Sequence, residues 1–491
     1  MCGIAGKVYG SGSGRVEEGL LHSMCDALVH RGPDDVGYYT GDGVGLGMRR
    51  LQVIDLATGH QPMSNEDGTL WIVFNGEIYN YRELRRELQS SGHVFRTDSD
   101  TEVIVHLYEE RGAAGLQALQ GMFAFAAWDT QKRSLFLARD RLGKKPLYYA
   151  CSRGALTFAS ELGAVLCDDT VDTAVDPRAI DEYLTYLFVP HPRTIYQGVF
   201  KLPPGSYAVY EGGNLSVERY WEPPHFAGGD ATTDGRPDGR PDGRTDEELA
   251  AELESLLQEA VQSRLVADVP VGAFLSGGLD SSLIVAMMQK AGAEPVRTFS
   301  IGFEESSFNE LDHARSVSEA LGTQHTEFVV SYDVQDLLPR MLDHFGEPFA
   351  DSSAIPTYHL SKVTRSAVTV ALSGDGGDEV FGGYRRYRAR ALADLFNRWP
   401  ACLGRDVATA LAGRIPEPAT YYGRSVRKKV KRFLEFATAV RETTSTSWAF
   451  FLTRLQRRNS TRTISLAVSN LAPRALSPTS PVWVGGHPAA T

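Results

Sequence analysis

Cysteine is scarce in this sequence. Five occur in 491 residues, at Cys2, Cys25, Cys151, Cys167 and Cys402. The number is odd and there is no C-x-x-C pair, so neither a disulfide framework nor a zinc site is indicated. An excess of basic charge is missing too: 50 Lys and Arg face 61 Asp and Glu, a net charge of −11. Nucleic-acid binders carry a basic footprint, so no nucleic-acid partner is expected. No apolar run reaches membrane-spanning length, and MCGIAGKVYGSGSG does not read as a signal peptide. The cytoplasm is therefore the expected compartment, with no membrane partner. A Walker loop, G-x-x-x-x-G-K-S/T, is also absent.

What is present is an ordinary globular composition, 42% apolar and 23% charged. The length exceeds one core and predicts two or three domains. The chain is organised around Val269–Met288, VPVGAFLSGGLDSSLIVAMM. An apolar run of strand length stops at Ser276-Gly277-Gly278. A helix over Leu283–Lys290 follows, with Asp280 and Ser281 as expected caps. Strand, glycine turn and helix N-terminus together form an anion site, because backbone N–H groups and the helix dipole both favour negative charge. The spacing S-G-G-x-D-S resembles the pyrophosphate loop of the N-type ATP pyrophosphatases, which cut ATP between the α- and β-phosphates.

Before this stretch, residues 1–165 read as strands and short helices. Strands are predicted at Leu70–Phe74, Gly121–Ala127 and Leu135–Ala138, and a helix at Tyr81–Gln89. This mixture suggests two sheets layered between helices. Cys2 is the sharpest feature. Once Met1 is removed, its thiol lies beside an α-amine with a pKa of about 8, which can accept the thiol proton. Arg50 sits on or beside a strand, Asn75-Gly76-Glu77 closes a strand, and Asp100 opens a helix over Glu102–Glu109. A cation, acids and amide donors of this kind suit a zwitterionic amino acid and an oxyanion.

MCGIAG, HRGPDD, RRLQVIDL, FNGEIYN and DSDTEVI, in this order, resemble the glutaminase domain of class II glutamine amidotransferases. The resemblance implies a four-layer αββα Ntn-hydrolase fold. It makes Cys2 the nucleophile that forms a glutamyl thioester. Arg50, with Leu51, Gln52, Val53 and Ile54, would hold the glutamine α-carboxylate. Asn75 and Gly76 would form the oxyanion hole, and Glu77 and Asp100 would hold the α-ammonium. Met48 stands where many relatives have His, a difference expected to affect packing more than chemistry. RDRLGKKPLYY continues the resemblance and reads as core and interface rather than as a nucleotide patch.

Tyr196–Tyr220 reads as a hairpin bridging two domains. DGRPDGRPDGR, at 234–244, carries no apolar residue and predicts a disordered insertion over 228–246. Asp246–Leu265 then reads as an amphipathic helix. Strands at Val296–Gly302, Thr326–Val330 and Ala367–Leu372 alternate with a helix at Leu311–Leu321, which implies a doubly wound parallel sheet. Ligands bind at the carboxyl ends of such strands, so Leu275–Ser282, Ile301 and Ser373–Glu379 should share one mouth. Asp375, Asp378 and Glu379 cluster acids there, and Mg²⁺ would mediate between carboxylates and phosphate.

This half resembles the synthetase domain of glutamine-dependent asparagine synthetases, an adenine nucleotide α-hydrolase-like fold. The fold class expected is thus α/β, an Ntn-hydrolase domain (2–215) followed by a parallel-sheet ATP-pyrophosphatase domain (247–440). By the resemblance, Leu275, Ser276, Gly277, Gly278, Asp280, Ser281, Ile301, Ser373 and Gly374 would contact ATP. Asp280 and Asp378 would hold Mg²⁺, and Asp375, where several relatives have Glu, would lie near the acyl-adenylate. Glu347–Ser361 would lie near the acyl substrate. The family pattern is expected to stop near Lys431, leaving an irregular Ser-, Thr- and Pro-rich tail at 459–491, with synthetase activity weakened accordingly.

The activity implied is glutamine-dependent asparagine synthesis with ATP and Mg²⁺. Its substrates would be glutamine, ATP and aspartate or another carboxylate, and a homodimer is the assembly it leaves open. The alternatives are the same chemistry on a different acceptor, and a nucleotide-binding relative that makes no amide.

Overall fold

The computed structural model describes residues 1–10, 14–224, 244–303, 309–330, 334–384 and 387–392. The expected tail at 459–491, residues 393–440 of the expected second domain and most of the expected insertion lie outside these. Residues 244–246 are within them, and here the expectation of disorder fails. The Thr245 hydroxyl accepts the Glu248 N–H at 3.2 Å, and the Glu248 carboxylate accepts the Thr245 N–H at 2.8 Å. This reciprocal cap stabilises a helix start by about 1 kcal/mol.

The first 219 residues supply strands β1 (Gly3–Tyr9), β2 (Asp35–Gly41), β3 (Val44–Arg50), β4 (Met63–Ser64), β5 (Leu70–Ile78) and β6 (Gly121–Asp129). There follow β7 (Ser134–Arg139), β8 (Tyr148–Ser152), β9 (Ala155–Ala159), β10 (Val199–Lys201), β11 (Ser206–Glu211) and β12 (Asn214–Arg219). They form two antiparallel sheets, ordered β10-β8-β9-β1-β3-β2 and β12-β11-β7-β6-β5-β4. Helices α1 (Glu18–Asp26), α4 (Leu162–Val165) and α5 (Pro177–Tyr186) cover the first sheet, and α2 (Tyr81–Ser90) and α3 (Asp100–Arg111) cover the second.

The central strands of each sheet are buried on both faces, so they read as continuous apolar runs. Strand periodicity still sorts the side chains. In β6, Phe123, Phe125 and Ala127 pack toward α2 and α3, while Ala124, Ala126 and Trp128 pack toward the other sheet. Ile4, Val8, Leu46 and Met48 meet them there. The result is the expected αββα sandwich. Met48 is fully buried in that inter-sheet core. Lys7 and Asp168 form a buried ion pair at 2.7 Å.

The sequence reading of Tyr196–Tyr220 as a bridge is corrected. β11 pairs with β7 as well as with β12, and Ala208 and Tyr210 enter the inter-sheet core. The hairpin completes the sandwich. β5 is also longer than expected. Asn75, Gly76 and Glu77 stay in the strand because β6 supplies partners Ala124, Phe123 and Met122.

The remaining described elements are α6 (Asp246–Arg264), β13 (Val271–Phe274), α7 (Leu279–Ala291), β14 (Arg297–Phe303), α8 (Leu311–Leu321) and β15 (Gln324–Val330), then α9 (Val334–Phe345), α10 (Ala354–Thr364), β16 (Val370–Leu372) and α11 (Gly377–Phe381). The sheet order is β15-β14-β13-β16, every pair parallel. α6, α7 and α8 close a core of Val261, Ala273, Leu275, Val285, Met288 and Ala314. Strand order reverses between β13 and β16, and such a switch point opens a crevice at the carboxyl ends.

The two units dock through specific contacts. Lys201 pairs with Glu347, and the Ala350 N–H donates to Leu187 O at 2.9 Å. The Arg264 guanidinium lies over the Tyr79 ring, 4.6 Å from its centroid.

Candidate active site

Cys2 precedes β1 and lies against the turn that follows β3. Its Sγ accepts the Leu51 N–H at 3.4 Å and lies 3.6 Å from Leu51 O. Arg31 donates through Nε to Cys2 O at 2.9 Å and through Nη1 to Glu161 at 2.7 Å. The Met1 ammonium donates to Arg31 O at 3.1 Å. Burial lowers that amine to a pKa of about 5 and pushes the Cys2 thiol up.

Arg50 ends β3 as a buried cation. Its Nη2 donates to Ile54 O at 2.9 Å and Asp55 O at 2.7 Å, which curls residues 51–55 around it. Asn75 is fully buried, and neither its amide nitrogen nor its oxygen has a partner. Leaving a buried polar group unpaired costs about 1–3 kcal/mol, so both atoms are poised for a ligand. Asp100 opens α3, capped by Ser99, and accepts the Ile78 N–H at 2.9 Å. Burial raises its pKa to about 7 and raises Glu77 as well.

These residues share one cavity of about 700 Å³. Of the expected glutamine contacts, Arg50, Leu51, Val53, Ile54, Asn75, Gly76, Glu77 and Asp100 line it with Cys2. Gln52 does not, and its N–H instead donates to Asp34 at 3.0 Å. The cavity continues into the second unit, where Phe274, Thr364, Arg365, Ser373 and Asp375 line it.

Two lining residues escaped the sequence reading. Arg31 was legible as part of HRGPDD but without a role. Lys145 stands in the segment read as core and interface, and it is both buried and part of the cavity wall. Burial lowers it to a pKa of about 8, with Glu77 pulling the other way. Asp140 fixes this turn by accepting N–H groups from Phe123, Leu142, Lys144 and Lys145. Adjacent lysines after an Arg-Asp-Arg turn were the available signal.

At the switch point, the loops after β13 and β16 lie side by side. Gly277 takes φ 77°, and a Cβ there would meet the backbone of His313 and Ala314. Gly278 caps α7, so Asp280 and Ser281 lie in the first turn and are not caps, contrary to expectation. The helix begins as soon as the chain leaves the left-handed turn. Ser276 and Ser281 hydroxyls lie 2.9 Å apart. A Cβ on Gly374 would stand 2.7 Å from Ser281 N and 3.0 Å from the Asp280 carbonyl carbon. Leu275 donates its N–H to Phe299 O at 2.9 Å, beside Ile301 near the end of β14. A concave backbone at a helix N-terminus suits the phosphates of a nucleotide.

The acids of SGDGGDE do not form the expected cluster. Asp375 accepts the Ser373 hydroxyl at 2.9 Å, and Glu379 accepts the Tyr384 hydroxyl at 2.7 Å. Asp378 turns its carboxylate toward Gly383, while Asp280 stands beside Gly377. Among the described residues no group of three metal-ligating side chains forms here. Mg²⁺ needs only one or two carboxylates beside phosphate, so Asp280 fits such an ion. Glu347, expected near the acyl substrate, instead pairs with Lys201 across the unit boundary, whereas Ser361 does line the cavity. No helix among the described residues is long and apolar enough to cross a membrane.

The family model described as "Glutamine amidotransferase domain" matches residues 1–221, and the one described as "Asparagine synthase" matches residues 252–480. The second match runs past Lys431, where the resemblance was expected to stop. The chain is 39% identical over 403 residues to "Asparagine synthetase (glutamine-hydrolyzing) 1" of Bacillus subtilis, covering 82% of this chain and 61% of that relative. It is 37% identical over 441 residues to a "Putative asparagine synthetase (glutamine-hydrolyzing)" of Mycobacterium tuberculosis, covering 85% and 65%. It thus spans less than two thirds of the length of these two. A third, "Putative asparagine synthetase (glutamine-hydrolyzing) 2" of Methanocaldococcus jannaschii, is 36% identical over 428 residues, covering 82% of this chain and 79% of the relative. Two matched domains in this order, with a relative covered over most of its length, make the chain a member of the glutamine-hydrolysing asparagine synthetase family.

Proposed function

We propose that this chain is a glutamine-dependent ligase that makes asparagine from aspartate, with ATP cleaved to AMP and pyrophosphate. The observation that carries this reading is the single cavity that reaches from Cys2 to Ser373 and Asp375. Ammonia released at Cys2 would have a continuous path through it to the second unit.

Removal of Met1 leaves the α-amine on Cys2. That amine lies beside the thiol and can take its proton. The Cys2 sulfur then attacks the glutamine carboxamide carbon. Asn75 and Gly76 stabilise the oxyanion, and the unpartnered Asn75 amide supports this role. Arg50, with Leu51, Val53 and Ile54, holds the α-carboxylate, and Glu77 and Asp100 hold the α-ammonium. The Cys2 α-ammonium returns its proton to the carboxamide nitrogen as collapse breaks the C–N bond, releasing ammonia and leaving a thioester that water hydrolyses to glutamate.

In the second unit, Leu275, Ser276, Gly277, Gly278, Ser281, Ile301, Ser373 and Gly374 hold ATP. The aspartate β-carboxylate attacks the α-phosphate, pyrophosphate leaves, and ammonia displaces AMP from the acyl-adenylate beside Asp375. Mg²⁺ would neutralise the pyrophosphate, held by Asp280, while the expected second ligand, Asp378, faces Gly383 instead. We also place the protein in the cytoplasm. Among the described residues Cys2, Cys25, Cys151 and Cys167 are all free, and a reducing compartment keeps the Cys2 thiol available.

The test incubates the full chain with glutamine, ATP, Mg²⁺ and aspartate and follows products by mass spectrometry. Glutamate, asparagine, AMP and pyrophosphate are expected. Cys2→Ala should abolish the glutamine-driven reaction and retain the ammonia-driven one. Stoichiometric ADP, or equal loss of both reactions in Cys2→Ala, would reject the reading. An amide of another acid would move the acceptor and keep the chemistry.

A further inference from the structure

Four side chains with no part in the reaction above converge on the outer face of the second sheet's helical layer. Glu66 comes from the turn between β4 and β5, His93 from the loop after α2, and His106 and Glu109 from adjacent turns of α3. One ligating atom from each lies within 4.8 Å of all the others. Among the described residues no other group of three or more His, Cys, Asp or Glu does this. His106 Nδ1 stands 3.5 Å from Glu66 Oε2 and 3.7 Å from Glu109 Oε2. His93 Nδ1 stands 3.9 Å from Glu66 Oε1 and 3.8 Å from Glu109 Oε2.

His106 supplies the independent sign of a missing ligand. Its side chain is 1% exposed, and neither ring nitrogen has a hydrogen-bond partner. Its Nδ1 faces two carboxylates at ion-pair distance without a hydrogen bond to either. The four atoms, now within 4.8 Å of one another, would draw together on the ion. Bonds of about 2.0–2.1 Å in a tetrahedron put ligand atoms about 3.4 Å apart.

The surroundings are those of a held metal site. The free oxygen of Glu109 accepts Asn65 Nδ2 at 3.2 Å, and Glu66 Oε1 accepts the Val94 N–H at 2.9 Å. The far nitrogen of His93 meets Glu110 Oε2 at 3.0 Å, and that of His106 faces Glu102 Oε1 at 3.7 Å. Each imidazole would thus present Nδ1 inward and a proton on Nε2 outward to a carboxylate, the pattern that fixes the tautomer of metal-bound histidines. Two carboxylates would balance a dication, so the metal-bound site would be neutral.

We propose that Glu66, His93, His106 and Glu109 bind one divalent transition-metal ion, zinc by its two-nitrogen, two-oxygen donor set, which clamps the turn of Glu66 and the loop of His93 onto α3. The same helix presents Asp100 to the cavity at its other end, so the ion braces that helix from outside.

The full-length chain, stripped with chelator and dialysed, is titrated with Zn²⁺ against a chromogenic indicator. One ion per chain is expected, retained in Cys2→Ala, with a rise in Tm on addition. Loading with Co²⁺ should give the visible bands of a low-coordinate site. His93 is partly exposed, so His93→Gln should fold, which circular dichroism checks, and should weaken Zn²⁺ by more than 10-fold and abolish the Tm rise. Glu110→Gln, which touches only the outer nitrogen of His93, should weaken it about 10-fold. Absence of stoichiometric binding, or wild-type affinity in folded His93→Gln, would overturn the proposal and leave the group as a plain charge cluster.

Discussion

The Asp268 carboxylate, in the loop between α6 and β13, accepts the backbone N–H of Asp55 at 2.7 Å, while its own N–H donates to Val53 O at 2.9 Å. A residue of the second unit thereby braces the loop whose Ile54 and Asp55 carbonyls orient Arg50. The two units are joined at the loop proposed to hold glutamine. Asp268→Ala should therefore raise KM for glutamine by roughly 10-fold, the effect of losing about 1.5 kcal/mol of charge-assisted hydrogen bonding. Steady-state glutaminase kinetics check this. An unchanged KM would mean the loop holds its shape alone.

Glutamine binding should depend on pH through Asp100. Burial raises its folded pKa to about 7, with Glu77 raised in the same direction. Between about pH 4 and pH 7 the ligand-free folded chain keeps a proton that the unfolded chain has lost, so stability falls as pH rises through this window. A bound α-ammonium favours the carboxylate, so glutamine should expel that proton and bind more tightly as pH rises through about 7. Calorimetry in two buffers of different ionisation enthalpy should detect proton release near pH 6.5, and Asp100→Asn should remove it. Equal heats in both buffers for the parent chain would contradict the assignment.

Asn75→Ala separates catalysis from stability. Losing one oxyanion donor should lower kcat for glutamine hydrolysis by about 10²–10³-fold with little change in KM. Because both polar atoms of Asn75 are buried and unpartnered, the ligand-free Tm should stay within about 2 °C despite complete burial. A large Tm loss with intact kcat would make the residue structural.

Gly374→Ala should affect only the second reaction. Its new methyl would press on Ser281 N and the Asp280 backbone, holding the two phosphate-facing loops apart. Overpacking of this kind costs about 1–3 kcal/mol, so ATP-dependent amide formation should fall by roughly 5- to 150-fold. Glutamate release should persist. Parallel loss of both activities would point to global unfolding, which the melting curve distinguishes.

Much of this was legible before any coordinates. Small and acidic residues at fixed offsets, S-G-G-x-D-S and S-G-D-G-G-D, mark strand-to-helix turns because only certain side chains allow a backbone to approach phosphate. Cys2, Arg50, Asn75, Glu77 and Asp100 were readable as residue types suited to one amino-acid ligand. The extent of β5 was not, since Asn-Gly favours a turn in isolation and stays in the strand here only because β6 supplies partners along its whole length. Gln52 was misread for a related reason: which backbone groups of a loop face a cavity depends on partners such as Asp34, and composition does not record them.

The sequence by itself pointed to two chemistries, because the residue types in S-G-G-x-D-S and at Cys2, Arg50, Asn75, Glu77 and Asp100 suit an anion and a zwitterionic amino acid. Only the tertiary structure decided that they share one cavity, because that depends on Asp268, Glu347 and Arg264 docking one unit on the other through contacts between residues distant in sequence. It also brought Lys145 to the cavity wall and gathered Glu66, His93, His106 and Glu109 onto one helix. Those four have no motif spacing, and their proximity exists only once α3 packs against the second sheet.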